Sequence, residues 1–285
     1  MTYREYLRGN ELVLSVAPTG YRPVDDRTER VPQTPEEIAT AVTEAAGLGA
    51  TIAHLHGRRD DGSPTPSRLP AVARAVTDET DDVLIEYAVG PDVLLGDYLD
   101  AIDGGPRPDI AHVRVGPEQY GRRGVTETSR RDVDRLIEEL VDRGIKPNLA
   151  VANGRDLNEV HRLRQAGIVG PNPIITLQLG AKSGTVATPQ MLLALLDDAP
   201  EGNVFVSATG PNQYPMTTLA LFYGAHVRVG MEDNVFLDAD TPVETNAQLA
   251  HRVAEVVGNS QRDFATVESA ADLLTLSERS PDITA

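Results

Sequence analysis

The sequence predicts an α/β protein folded as a (β/α)8 TIM barrel, in one domain over residues 1–285. Eight short apolar runs alternate with eight amphipathic segments, which is typical of parallel strands joined by helices. A chain of 285 residues suits such a barrel. The alternative is an open doubly wound sheet, but no G-x-G-x-x-G motif follows the first strand, as the dinucleotide-binding version of that fold requires. We therefore prefer the closed barrel.

The predicted strands are compact apolar runs bounded by turn residues. The first ends at the loop Pro18-Thr19-Gly20, and the second is broken by the turn at residues 60–64. We predict strands at residues 12–18, 51–58, 83–89, 110–115, 146–152, 173–179, 204–208 and 225–230.

Capping residues mark the starts of several predicted helices. Thr34 and Thr188 each precede a proline, and Ser129 precedes an amphipathic run, which is the pattern of an N-cap and a first helical turn. We predict helices at residues 34–47, 68–77, 93–102, 129–142, 157–166, 214–223 and 245–257, with another that begins at residue 188. Residues 262–285 are expected to form a short C-terminal helix, at 269–276, and a polar tail.

Two histidines stand two positions apart at the end of the second predicted strand. Because side chains alternate along a strand, His54 and His56 share a face with Ile52. A single inward histidine is more often a hydrogen-bonded core residue, and that remains the alternative interpretation. Two imidazoles on one face favour a metal site, because neutral imidazole is a common ligand of zinc, iron and copper.

The eighth predicted strand ends in the acidic turn Glu232-Asp233-Asn234. Barrel active sites lie at the carboxyl ends of the strands, and strands 2 and 8 both flank strand 1. Glu232 can therefore reach a metal held by the two histidines, which would complete the three-ligand set of a catalytic site. An ordinary polar turn is the alternative. Arg228, on the same strand, is expected to point inward and to bind a substrate carboxylate.

The composition restricts the choice of metal and partners. The chain has no cysteine, so any metal must bind to histidine, carboxylate and water. We predict Zn²⁺, and the same ligands also suit Fe²⁺ or another divalent ion. A formal charge of −17 makes nucleic acid a poor partner. No apolar run is long enough for a membrane span, and the N-terminus lacks an apolar signal region, so we expect a cytoplasmic protein.

The distribution of charge suggests adaptation to high salt. The chain has 43 acidic and 26 basic residues, and Lys146 and Lys182 are its only lysines. From this dispersed acidic surface we predict a halophilic protein whose thermal stability rises with the concentration of KCl.

Four segments together resemble the β-keto acid cleavage enzymes. The segment at 54–62 reads HLHGRRDDG, and the segment at 224–234 reads GAHVRVGMEDN. Between them, residues 179–189 and 210–216 are similar to later loops of that family. The likeness covers nearly the whole chain, and the motif on strand 8 is highly specific. The chain is identified as a divergent member of this family.

The resemblance implies a (β/α)8 fold, a homotetramer and a zinc site formed by His54, His56 and Glu232. It also implies that a β-keto acid reacts with acetyl-CoA in a retro-Claisen cleavage to give acetoacetate and a new acyl-CoA. The family's active-site arginine and aspartate fall on Arg228 and Asp233. An ionised Asp233 beside a cation and Arg228 suits a general base.

Other positions depart from the family pattern. Thr19 stands in the loop after strand 1, where an acidic residue is usual, and strand 5 lacks the usual inward glutamate. Glu86 on strand 3 can replace an inward acid or pair outward under a helix. His112 and Arg114 on strand 4 can line the pocket, with Arg114 paired to an outer helix as the alternative. We predict that Thr19, Glu86, His112, Arg114 and Arg228 bind the substrate.

Two other functions remain open at this point. One is a metal-dependent lyase or hydrolase that acts on a different oxo-acid without CoA. The other is a non-catalytic barrel that binds a metabolite. Consumption of acetyl-CoA with a β-keto acid separates the β-keto acid cleavage from the lyase or hydrolase, and the content of bound metal separates it from the non-catalytic barrel.

Overall fold

Eight parallel strands close into a barrel in the computed structural model, which describes residues 11–22, 30–90, 92–119, 125–126, 129–181, 184–238 and 240–276. Each strand pairs with its neighbours in chain order, and the last pairs with the first. The predicted TIM barrel is thereby confirmed. Its strands are β1 Leu14–Val16, β2 Ala50–Leu55, β3 Leu84–Tyr87, β4 Ile110–Arg114, β5 Lys146–Val151, β6 Ile174–Leu179, β7 Asn203–Ala208 and β8 His226–Val229.

Helices follow the strands around the outside of the barrel. Threonine or serine caps several of them, and Thr34 forms a capping box with Glu37. No helix among the described residues is long and apolar enough to cross a membrane. The helices are α1 Pro35–Ala46, α2 Leu69–Glu79, α3 Leu95–Asp103, α4 Arg130–Asp142, α5 Gly154–Gln165, α6 Pro189–Asp198, α7 Gln213–Phe222, α8 Asn246–Gly258 and α9 Val267–Leu274.

The closure of the barrel places β2 and β8 on either side of β1. Ser15 of β1 lies in register with Arg228 of β8 and with Ile52 of β2. Residues that follow β2 and β8 therefore meet over the end of β1, as the sequence predicted. The other faces of the strands pack under the helices in the large apolar core.

A second apolar cluster fills the amino-terminal end of the barrel. Ile52, Ile110, Ile174 and Phe205 meet there, and α9 covers them. The buried guanidinium of Arg262 anchors the chain before α9, because it donates to the backbone carbonyls of residues 11, 221 and 225. The C-terminal segment thus closes the end of the barrel opposite the histidines.

Some helix boundaries differ from the prediction because Asn153 and Thr266 act as N-caps. Helix α5 begins at Gly154, since the side chain of Asn153 accepts hydrogen bonds from the backbone N–H groups of Arg155 and Asp156. Helix α9 begins at Val267 because Thr266 caps it. A short antiparallel pair, Glu118–Gln119 with Val125–Thr126, was not predicted. The expected tail from residue 277 onward lies outside the described residues.

Candidate metal centre and active site

Three predicted ligands converge at the carboxyl end of the barrel. Oε2 of Glu232 lies 3.5 Å from Nε2 of His54 and 3.4 Å from Nε2 of His56. These atoms belong to one of two groups of described residues whose spacing could hold an ion. A tetrahedral zinc site with ligand bonds of about 2.1 Å separates its ligand atoms by about 3.4 Å. Oε2 of Glu232 already lies at this distance from both imidazole nitrogens.

Close backbone contacts hold Glu232 above β1. Its N–H donates to the carbonyl of Ala17. Gly230 has φ of 148°, and a Cβ there would lie 2.1 Å from the same carbonyl oxygen. Gly20 has φ of 73°, and its Cβ would lie 2.6 Å from Cγ of Glu232. Only glycine fits these two positions without strain. The side chain of Asn246 ties the loops together, since it accepts from the N–H of Met231 and donates to the carbonyl of residue 18.

The donor atoms have the chemistry that a divalent ion requires. Nε2 of His56 and Oε2 of Glu232 are buried, and neither makes a hydrogen bond of ordinary geometry with the described residues. Burial lowers the pKa of His56 to about 4, so its ring is neutral at pH 7. Burial opposes the ionisation of Glu232, but the two histidines and Arg228 hold its pKa well below the usual range. Two imidazoles and one carboxylate therefore offer a donor set that fits the ion.

Arg228 points into the barrel and is paired with Asp233. Its Nε and Nη2 donate to the two carboxylate oxygens of Asp233, each at 3.1 Å. Nη1 lies 3.1 Å from Nε2 of His54, and Nη2 lies 3.8 Å from Oε1 of Glu232. The guanidinium therefore adjoins the metal ligands, but much of its donor capacity is already used by Asp233. The expectation that Arg228 binds a substrate carboxylate stays a prediction.

Asp233 lies beside the ligands, and its pKa is raised. Burial is the largest cause, and the charge of Glu232 adds to it, while Arg228, His54 and Arg22 act in the opposite direction. A carboxylate with a raised pKa is a better base than an ordinary aspartate. Its role as a general base stays a prediction.

Glu86 points inward, the first of the two orientations that the sequence left open. It is 1% exposed. Its Oε2 lies 2.7 Å from Nδ1 of His54, and its Oε1 accepts from Nδ2 of Asn148 at 2.6 Å. Asn148 occupies strand 5, where the family's usual glutamate is missing. In this chain the inward polar residue on strand 5 is therefore Asn148, and it is the hydrogen-bond partner of Glu86.

His112 and Arg114 both lie on the inner side of β4. The ring of His112 meets the ring of His54 edge-on, with centroids 5.1 Å apart, and its Nδ1 makes no described hydrogen bond. Arg114 donates to the carbonyl of Val89 at 2.5 Å, and its guanidinium lies over the ring of Tyr21, 5.1 Å from the centroid. It thus packs toward the pocket rather than under an outer helix.

Thr19 is buried by Arg58, whose role was not predicted. Nε of Arg58 donates to the hydroxyl of Thr19 at 2.6 Å, and Nη2 donates to its carbonyl at 2.9 Å. Nη1 donates to the carbonyl of Gly62. Arg58 therefore joins the loops after β1 and β2. Loop arginines are usually solvated, so the sequence contains only one signal for this role, an arginine two positions after the His-x-His motif.

Tyr21 and Arg22 were also missed. The ring of Tyr21 lies 5.6 Å from the ring of His56. Desolvation opposes the charge of Arg22, yet Tyr21, Asp233 and Glu232 together raise its pKa. Both residues stand in the polar loop after β1, which gave no motif to distinguish them. They form, with Arg114, the rim of the site.

Fold and site together define a (β/α)8 barrel with a candidate three-ligand metal site beside an arginine–aspartate pair. A family model described as beta-keto acid cleavage enzyme matches residues 11–276. The chain therefore belongs to the beta-keto acid cleavage enzyme family, which confirms the resemblance found in the sequence. The prediction that the chain is an enzyme is confirmed with it.

Similar proteins act on several β-keto acids. A 3-keto-5-aminohexanoate cleavage enzyme from Acetoanaerobium sticklandii is 29% identical over 271 residues, 94% of this chain and 99% of the relative. A 3-oxoadipate:acetyl-CoA acetyltransferase from Cupriavidus necator is 29% identical over 273 residues, 93% of this chain and 94% of the relative. The names of these relatives differ in substrate, so family membership alone leaves the substrate of this chain open.

Solved structures also share the fold. The ternary complex of ObcA with a C4-CoA adduct and oxalate superposes with a TM-score of 0.71 at 16% identity, over 87% of this chain and 68% of that one. The complex of ObcA with oxaloacetate gives a TM-score of 0.72 at 15% identity, over 88% of this chain and 68% of that one. At such identity the likeness establishes the barrel.

Proposed function

We propose that the chain cleaves a β-keto acid with acetyl-CoA, releasing acetoacetate and a new acyl-CoA. In this reaction the acyl group of the keto acid moves to CoA, and its CH₂–COO⁻ unit joins the acetyl group. The observation that carries the proposal is the position of the arginine–aspartate pair directly against the ligand cluster, with Arg228 within 4 Å of two of the ligands. The family and its acetyl-CoA-dependent relatives support it.

The ion that we propose is Zn²⁺, held by His54, His56 and Glu232. A divalent ion in this position supplies Lewis acidity to the oxygen atoms of the keto acid. The residues of the chain supply the remaining functions. Asp233 accepts a proton from the substrate, and Arg228 orients Asp233 while directing its remaining N–H groups toward a substrate carboxylate.

The charges around the site favour substrates without an ammonium group. Each of the three described acidic side chains at the site already contacts a basic group. Glu86 contacts His54, Asp233 contacts Arg228, and Glu232 contacts the two histidines. The rim carries the cationic side chains of Arg22 and Arg114 instead. We therefore propose that the keto acid has a neutral or a second acidic end group, with Thr19, His112 and Arg114 among its contacts. Glu86 was predicted as a further contact, but its two hydrogen bonds direct it to His54 and Asn148.

The test is a screen of the zinc-loaded protein with acetyl-CoA and three keto acids of matched length. Their ends are a methyl, a carboxylate and an ammonium group, and mass spectrometry detects the new acyl-CoA. We expect turnover of the methyl or the carboxylate compound, with kcat/KM above that of the ammonium compound. Preference for the ammonium compound would contradict the proposed substrate class alone. No acyl-CoA from any keto acid would contradict the reaction itself.

We also propose a homotetramer, on the ground of the family likeness. Light scattering after size-exclusion chromatography should give four times the mass of one chain, and a monomeric mass would contradict the proposal.

A further inference from the structure

Four polar side chains form a buried chain of hydrogen bonds across the inside of the barrel. It begins at His54 on β2 and passes through Glu86 on β3 and Asn148 on β5 to Thr176 on β6. The successive distances are 2.7, 2.6 and 2.8 Å. All four residues are buried. Polar groups in such a place are costly unless each one has its partner.

The hydrogen atoms in this series of hydrogen bonds can be placed from the groups at its two ends, the hydroxyl of Thr176 and the guanidinium that contacts His54. The hydroxyl of Thr176 donates to Oδ1 of Asn148, so the amide directs its NH₂ group at Oε1 of Glu86. Arg228 can only donate, so Nε2 of His54 accepts from it. The ring hydrogen of His54 therefore lies on Nδ1, which donates it to Oε2 of Glu86. Both neighbours of His54 select the same tautomer.

We propose that Glu86 is a positioning residue, held by Asn148 and Thr176, that fixes the ring of His54 so that its Nε2 lone pair, which here accepts from Arg228, can bind the metal in place of that N–H group. Glu86 then contacts neither the metal nor the substrate. This inference rests on the metal site proposed above. A carboxylate that accepts from the second nitrogen of a ligand histidine fixes its tautomer and strengthens it as a ligand.

Glu86 and His112 could instead hold a second ion together with His54, since these residues also form a possible ligand group. The distances argue against this. Ligand atoms on one tetrahedral ion are about 3.4 Å apart, whereas Nδ1 of His54 and Oε2 of Glu86 are 2.7 Å apart. That separation is the length of a charge-assisted hydrogen bond.

The experiment measures zinc affinity by competition with a chromogenic chelator, without any substrate. For Glu86→Ala we expect affinity to fall by roughly 10- to 100-fold. Glu86→Gln should recover part of this loss, because its carbonyl can still accept from Nδ1 of His54. The matched control is Glu159→Gln, which removes another buried carboxylate, one paired with Arg130 and Arg162 on the outside of the barrel. This control should bind zinc like the wild type.

The outcomes separate the possibilities. Unchanged zinc affinity in folded Glu86→Ala, or an equal loss in Glu159→Gln, would overturn the positioning role. Two zinc ions per wild-type chain, reduced to one in Glu86→Ala, would overturn it in favour of a second site. If Glu86→Ala does not fold, Asn148→Ala keeps Glu86 but removes its donor, and it should show a smaller loss in the same direction. Unchanged affinity there would also contradict the proposal. Because the zinc assay contains no substrate, its result does not depend on whether the proposed reaction occurs, and the two proposals can fail independently.

Discussion

Replacement of Asp233 by asparagine tests the proposed base with little change in shape. The side chain is 11% exposed, and both of its oxygens accept from Arg228. Asparagine keeps one acceptor and turns an NH₂ group toward an arginine N–H, so one charge-assisted hydrogen bond is lost. Such a bond contributes about 1.5–3 kcal/mol. Leaving a buried charge wholly unpaired costs about 3–5 kcal/mol, but Glu232 still lies 3.8 Å from Arg228. We therefore expect the free energy of unfolding to fall by about 1.5–3 kcal/mol, the range for one lost charge-assisted hydrogen bond.

The effect on turnover should be at least comparable with the effect on folding. Loss of a general base lowers kcat by roughly 100-fold or more, which corresponds to about 2.7 kcal/mol in the activation barrier. The assay measures kcat, zinc content and the free energy of unfolding in one preparation. Asp238→Asn is the matched control, because Asp238 is an exposed carboxylate in the same loop. Near-normal kcat with zinc retained would remove Asp233 from the mechanism. Loss of zinc would make it a support of the metal instead.

Four further predictions concern the ligands, the arginine, pH and salt. His54→Ala, His56→Ala and Glu232→Gln should each lose zinc and activity together, and full zinc occupancy in any of them would refute that ligand. Arg228→Lys keeps the charge but cannot bind both oxygens of a carboxylate, so kcat/KM should fall by roughly 10-fold or more; unchanged kinetics would show a purely structural arginine. Burial lowers the pKa of His226 to about 3, against about 6.5 when unfolded. Between these values only the unfolded chain binds the proton, so stability should fall by about 1.4 kcal/mol for each unit of falling pH. His226→Gln should lose that part of the acid sensitivity in urea titrations, and an identical pH profile would contradict the assignment. Finally, the thermal midpoint should rise with KCl, and a flat or falling midpoint would contradict adaptation to salt.

The ligand cluster could be anticipated from the sequence because it depends on two simple regularities. Alternation along β2 puts His54 and His56 on one face, and barrel closure brings β8 next to β1. Neither inference needs the side-chain packing. The convergence of Glu232 with the histidines was therefore predictable from the order of the elements.

The orientation of Glu86 could not be deduced in the same way. Apart from Glu86, strand β3 is apolar on both faces, because its outer face packs under helices, so alternation does not tell which side is inner. The partners of Glu86 are also distant in sequence, and Asn148 looks like a missing acid when it is considered alone. The role of Arg58 was hidden for a related reason, since its acceptors are a hydroxyl and backbone carbonyls that no pattern of charges indicates.

The central claim is tested most directly by following the carbon atoms of acetyl-CoA. The zinc-loaded protein is incubated with an unlabelled β-keto acid and acetyl-CoA that carries ¹³C in both acetyl carbons, and the products are examined by NMR and mass spectrometry. The account predicts acetoacetate labelled at the ketone carbon and the methyl carbon, together with an equal amount of unlabelled new acyl-CoA. Both products should vanish in His56→Ala. Cleavage of the keto acid without acetyl-CoA, or with unlabelled acetoacetate, would contradict the account.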